Sequence, residues 1–134
     1  MHIDHTTIRT SKLEQTKDFF LKVFDIKVGS RPARIAANIL GYWLYFDDAP
    51  LIHLIQSYPD GRPVKESASE AIDHTGFSME GYDAFKDKLD SLGILYSPMD
   101  LPEIGERRLF FYTPTGILLE TVFREPVINQ SEKG

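Results

Sequence analysis

The sequence predicts an α+β fold made of two tandem strand-helix-strand-strand-strand modules. Three observations lead there. The tetrapeptide Ile-Asp-His-Thr occurs twice, at 3–6 and 72–75. The order of predicted elements after each copy is the same. Polar residues capable of ligating a metal fall at matched places in the two copies.

The first copy opens with 2–10, rich in β-branched residues and read as a strand. Ser11-Lys12-Leu13-Glu14 has the spacing of a capping box, which announces a helix. Leu13, Phe19 or Phe20, Val23 and Phe24 give that helix an apolar stripe. A short strand over 25–29 ends at a glycine, and a loop follows. Residues 41–46 and 51–56 read as a strand hairpin around the turn Asp47-Asp48-Ala49-Pro50.

The second copy repeats the order. Residues 72–79 read as a strand and 82–92 as a helix, with Tyr82, Phe85, Leu89 and Leu92 on one face. Gly93 is placed to end it. Short strands follow at 94–97 and 108–112, then the turn Thr113-Pro114-Thr115-Gly116 and a strand over 117–123. His5 falls opposite His74 at an offset of 69, and His53 opposite Glu120 at 67. Trp43 and Tyr45 fall opposite Phe110 and Tyr112. A period near 68 is too long for a solenoid repeat, so the two copies are expected to build one domain over 1–134. The repeats cover about 2–57 and 71–123, joined by a polar linker at 58–70 and followed by a tail at 124–134.

Bulk properties narrow the function. With 42% hydrophobic and 26% charged residues, the composition is that of a soluble globular protein. The absence of cysteine excludes disulfides, thiolate metal sites and a cysteine nucleophile. A net charge of -5 offers no basic footprint for nucleic acid. No apolar run is long enough to span a bilayer, and no secretion signal opens the chain. The expected location is the cytoplasm.

Side chains alternate faces along a strand. Ile3, His5, Thr7 and Arg9 therefore share a face, as do Ile72, His74, Gly76 and Ser78. Leu51, His53 and Ile55 share another, as do Leu118, Glu120 and Val122. A buried polar group without a partner costs several kcal/mol. Four such groups on the first and last strands of both copies suggest convergence on one metal ion. Three imidazoles and one carboxylate suit Zn, Fe(II), Mn, Ni or Co.

Residues 2–28, Ile72-Asp73-His74-Thr75-Gly76-Phe77 and the closing 110–122 resemble the vicinal oxygen chelate superfamily. That group includes glyoxalase I, extradiol dioxygenases, fosfomycin-modifying enzymes and bleomycin-binding proteins. The resemblance implies two βαβββ modules whose mixed sheet curves into a cup with helices outside, usually in a homodimer. It implies one divalent ion per site, held by His5, His74, Glu120 and His53, in one chain or across two. It further implies lyase or isomerase chemistry on a small oxygenated substrate that chelates the metal, with Glu120 as ligand and general base. Arg9 occupies the place of a substrate-binding arginine of glyoxalase I. Trp43, Tyr45 and Phe110 would wall the substrate, and with Tyr112 they would line the cup of a metal-free binder. The chain also departs from family patterns. Bacterial glyoxalase I has glutamate at the place of His53 and asparagine at that of Ser57, and Thr113 replaces a usual aspartate. His5, His74 and Glu120 match the ligand triad of the extradiol dioxygenases, the second reading. Residues 100–108, however, lack their second histidine, and Phe110 replaces their tyrosine. A fosfomycin-type site would draw on Arg107 or Arg108 and on Tyr112. Adjacent strand residues face opposite ways, so only one of the two arginines can serve. The reading from another class is a metal-free ligand-binding cup.

Overall fold

The structure is a computed structural model that describes residues 1–57 and 72–126. The predicted linker and most of the tail lie outside the described residues. The chain divides into two compact units, Met1–Glu70 and Ala71–Gly134.

The first unit runs β1 (Thr6–Thr10), α1 (Leu13–Val23), β2 (Lys27–Gly29), α2 (Ala33–Asn38), β3 (Gly41–Phe46) and β4 (Ala49–Gln56). Its sheet order is β1-β4-β3-β2. β1 lies parallel to β4, and the other pairs are antiparallel. The parallel pair needs a crossover, which α1 supplies. Leu13, Thr16, Phe20 and Val23 are buried at helical spacing, and α1 lies against β4. Ile8, Leu44, Ile52 and Leu54 complete this core from the sheet.

The second unit runs β5 (Thr75–Met79), α3 (Tyr82–Ser91), β6 (Ser97–Leu101), β7 (Glu106–Tyr112) and β8 (Leu118–Phe123). Its order is β5-β8-β7-β6, again with the first and last strands parallel. Phe85 packs on Phe111 and Phe123, whose rings lie 5.9 and 5.7 Å away. The predicted tandem βαβββ modules of an α+β fold are therefore present. The ladders also align the copies independently of sequence likeness. Thr7 and Trp43 flank His53, and Gly76 and Phe110 flank Glu120.

Several local expectations give way. β1 begins at Thr6 and β5 at Thr75, later than predicted; the ladders start with Thr6 opposite Ile52 and Thr75 opposite Leu119. Ile3 and Ile72 precede the ladders and are 86% and 89% exposed, so they do not flank the histidines with apolar surface. The capping box does not form. Lys12 takes the N-cap place, which leaves Glu14 one position short of reaching back. Thr10 Oγ1 instead accepts from the Lys12 N–H at 3.0 Å and meets Thr16 Oγ1 at 3.1 Å. Glu14 accepts from the Tyr42 hydroxyl. Helix α2 stands where a loop is expected; it is six residues long and buries none of them, so no apolar stripe announces it. Strand β6 starts at Ser97 and not at Ile94. Gly93 (φ 69°) and Ile94 send their N–H groups back to Asp90 and Leu89 at 3.1 and 3.0 Å. That is a Schellman cap, and it holds Ile94 to the helix. Leu92 stands at the cap and is 41% exposed, outside the buried stripe.

Gly41 marks the tightest approach in the first sheet. A Cβ there would stand 2.0 Å from the Leu54 carbonyl oxygen. At Gly29 a Cβ would meet the Tyr45 ring at 2.4 Å, and that ring can swing away. Gly41→Ala is therefore expected to destabilise the protein by about 3 kcal/mol, and Gly29→Ala by clearly less. Urea unfolding of both variants checks this; equal losses would contradict it.

Candidate functional site

In the first module the candidate ligands meet where β1 begins beside β4. His53 lies on the sheet face opposite the α1 core, since its neighbours Ile52 and Leu54 are buried on the other side. His5, just ahead of β1, stacks on it with ring centroids 3.9 Å apart and planes at 13°. Trp43 covers the other side of His53 at 4.2 Å and 11°. His53 Nε2 is buried without a hydrogen-bond partner. Burial, and secondly the electrostatic effect of His5, hold the His53 pKa below its ordinary value, which favours the neutral ring. His5 Nδ1 lies 2.7 Å from Asp4 Oδ2.

The second module repeats this plan with different chemistry. His74 Nδ1 lies 2.8 Å from Asp73 Oδ2, and its Nε2 lies 2.8 Å from Glu120 Oε2. The Glu120 residue is 5% exposed. Its Oε1 lies 3.1 Å from Arg108 Nη1, an ion pair too poorly aligned to count as a hydrogen bond. Phe110 presents its ring edgewise to His74 at 6.0 Å. A ring between two carboxylates donates from both nitrogens only as imidazolium. The Asp73 hydrogen bond, opposed by partial desolvation and helped by Glu120, raises the His74 pKa above its ordinary value.

The sequence profile of the glyoxalase/bleomycin resistance protein/dioxygenase superfamily matches residues 2–121. The chain belongs to that superfamily. Among solved structures, a glyoxalase family protein of Bacillus anthracis is 20% identical with a TM-score of 0.70, covering 92% of this chain and 94% of its own. A glyoxalase family protein of Enterococcus faecalis is 24% identical (TM-score 0.66, covering 90% and 96%). The fosfomycin resistance protein FosX of Listeria monocytogenes is 18% identical (TM-score 0.64, covering 90% and 89%). These likenesses establish the fold. A search of curated proteins found no match.

Within this superfamily member, each module thus brings together one pair of the expected ligands, His5 with His53 and His74 with Glu120. Among the described residues, no group of three or more His, Asp or Glu side chains is gathered as a metal cluster. Of the expected substrate wall, Trp43 and Phe110 touch candidate ligands. Tyr45 folds over Gly29, and its hydroxyl donates to the Ser30 carbonyl at 2.6 Å. Tyr112 is exposed at 62%. Arg9 shares the His53 side of its sheet and donates from Nη1 to the Gln56 carbonyl at 3.0 Å. No helix among the described residues is long and apolar enough to cross a membrane.

Two features escaped the sequence reading. Asp4 and Asp73 each hold Nδ1 of the following histidine, which orients the ring and leaves Nε2 for another partner, the usual role of a carboxylate behind a ligating imidazole. The signal was present, since the repeated tetrapeptide contains the aspartate as well as the histidine. Arg108, not Arg107, turns to Glu120. Arg107 goes to the opposite face, pairs with Asp100 at 3.0 Å and lies 3.7 Å over the Tyr82 ring.

A histidine whose folded pKa exceeds its unfolded one adds stability that is complete below the unfolded value. That stability is lost as pH rises through the folded value. His74 is therefore expected to stabilise the metal-free protein below its ordinary value of 6.5 and to lose that contribution above it. An NMR titration of its ring should give a midpoint above 6.5 in the native chain. Asp73→Asn should lower the midpoint; an unchanged value would remove Asp73 as the cause.

Proposed function

We propose that this protein is a metal-dependent enzyme of its superfamily with lyase or isomerase chemistry on a small oxygenated substrate that chelates the metal. The observation that carries this reading is the matched pair in each module. In both, a histidine backed by an aspartate on Nδ1 meets a second ligand-type residue at the same place in the ladder. His5, His53, His74 and Glu120 would hold one divalent ion per site: iron, nickel, zinc, cobalt or manganese. The active species would be a homodimer, as the superfamily resemblance implies.

The donor set suits such an ion. His53 Nε2 is neutral, buried and unpartnered. The His5–His53 stack is not itself a ligating geometry, because one ion cannot lie in both of two nearly parallel ring planes. His5, with 36% of its side chain exposed, is the ring with room to turn. His74 Nε2 and Glu120 Oε2 already face one another, and the proton between them must leave when a metal takes their place.

The bound ion would act as a Lewis acid toward adjacent substrate oxygens. Glu120 would take and return the substrate proton at Oε2, the oxygen that faces His74. Asp4 and Asp73 hold His5 and His74, while Trp43 lies on His53 and Phe110 beside His74. Arg9 would meet an anionic part of the substrate beyond His53.

Elemental analysis of untagged protein, purified without chelator beside His74→Ala, is expected to show about one metal per chain that the variant loses. Nickel, cobalt or zinc would direct assays to isomerase substrates, and iron with oxygen uptake on catechols would favour the dioxygenase reading. No metal after reconstitution, with ligand binding that survives chelation, would overturn the proposal in favour of a binding protein. Because His74 must shed a proton, metal affinity should also rise with pH below its midpoint, by up to about tenfold per unit. Calorimetric titration with Co(II) at several pH values measures this, and a flat profile would contradict the exchange.

A further inference from the structure

The second module holds Glu120 from a ladder position that is a glycine in the first. Arg108 Nη1 lies 3.1 Å from Glu120 Oε1, and Arg108 Nη2 donates to Glu106 Oε1 at 2.7 Å. Both glutamates are buried, at 5% and 9% exposure. Glu106 Oε2 lies 3.5 Å from Arg124 Nε, and Arg124 Nη1 donates to Ser78 Oγ at 2.9 Å. A chain of polar contacts thus runs from Ser78 on β5 through Arg124, Glu106, Arg108 and Glu120 to His74. In the β7–β8 ladder Arg108 stands opposite Val122. The same place in the first module is Gly41, opposite Ile55, where the Leu54 carbonyl leaves no room for any side chain. The ladder position that Arg108 fills in the second module therefore carries no side chain in the first.

We propose that Arg108 is a positioning residue. Its fork between Glu106 and Glu120 holds the Glu120 carboxylate with Oε1 turned away and Oε2 presented to His74 Nε2. A glutamate side chain has several rotamers to lose, and an anchored guanidinium fixes one of them before any ligand arrives. Lysine cannot do the same, because one ammonium does not present two separated nitrogens in a plane. The consequence for metal affinity rests on the reading of His74 and Glu120 as ligands. The positioning itself can be measured without metal.

Two readouts separate these. In metal-free protein at one fixed pH, water exchange of the His74 Nε2 proton is followed by NMR in the native chain, Arg108→Gln and Glu106→Gln. Exchange should quicken in both variants, and more in Arg108→Gln, because Glu120 is no longer held against the ring. Native exchange rates in folded variants would overturn the proposal. If Arg108→Gln fails to fold, Glu106→Gln decides by the same measurement, since it keeps the arginine and weakens its anchor from a carboxylate to a neutral amide oxygen. In the second readout, Co(II) binding should weaken by about 10- to 100-fold in Arg108→Gln, with only partial recovery in Arg108→Lys. A native chain that binds no Co(II) would sink the metal reading and leave the exchange result standing. Native Co(II) affinity in Arg108→Gln would show that the clamp has no bearing on the ligand.

Discussion

The parallel pairing of first and last strands governs everything else in this chain. His5 and His53 are 48 residues apart, and His74 and Glu120 are 46 apart. No local motif could bring such residues together. Parallel strands need a crossover, and the crossover helix and two intervening strands consume that length. Once β1 docks on β4 and β5 on β8, the start of each module lies beside the middle of its end. The residues between serve mainly to bury one sheet face under a helix, which leaves the other face free to carry polar groups.

From that common frame the two modules diverge in how they hold a polar residue in a largely apolar strand. The first uses rings. His53 is kept neutral and flat between His5 and Trp43, with dispersion and ring stacking in place of charge. The second uses charge. Glu120 keeps its carboxylate beside His74 on one oxygen and Arg108 on the other. The divergence follows from backbone spacing. Where β7 has room for Arg108, β3 runs so close to β4 that only glycine fits at position 41. A neutral ring needs no counter-ion, so the module without room for an arginine is also the one whose residue does not require it.

Most of the fold was legible because the sequence states it twice. Patterns too ambiguous to assign alone, such as 41–46 and 51–56, become firm when the same order recurs after a second Ile-Asp-His-Thr. What escaped was local chemistry that competes with pattern. The Ser-x-x-Glu box lost to a pair of threonines, Thr10 and Thr16, whose hydroxyls meet in the core. Ile94 reads as strand by side chain but belongs to the helix cap by its N–H. At the site, residue type alone selected the four candidate ligands. Asp4 and Asp73 were missed because they look like ordinary solvated acids, and the sequence offered Arg107 or Arg108 for a site without saying which one turns to Glu120. Only distance shows that each is spent on a particular atom of a particular partner.

The energetic cost of the second module's network also bears on its purpose. Burying carboxylates and guanidinium groups takes them out of water, and their mutual attraction commonly does no better than break even against well-packed apolar residues. A sheet face that needed only stability could carry apolar residues at 106, 108 and 120, as β4 carries leucine and isoleucine around His53. The unpartnered Arg108 Nε and the misaligned Glu120 Oε1 show that the arrangement is not optimised as a hydrogen-bond network. The groups hold Glu120 by Oε1 and leave Oε2 facing His74 Nε2, in a ring whose other nitrogen is already taken by Asp73. A chain that accepts this electrostatic cost in a module of ordinary size gains stability nowhere obvious from it. What it gains is a carboxylate oxygen and a ring nitrogen held 2.8 Å apart, each with its other atom already engaged, by Arg108 and by Asp73.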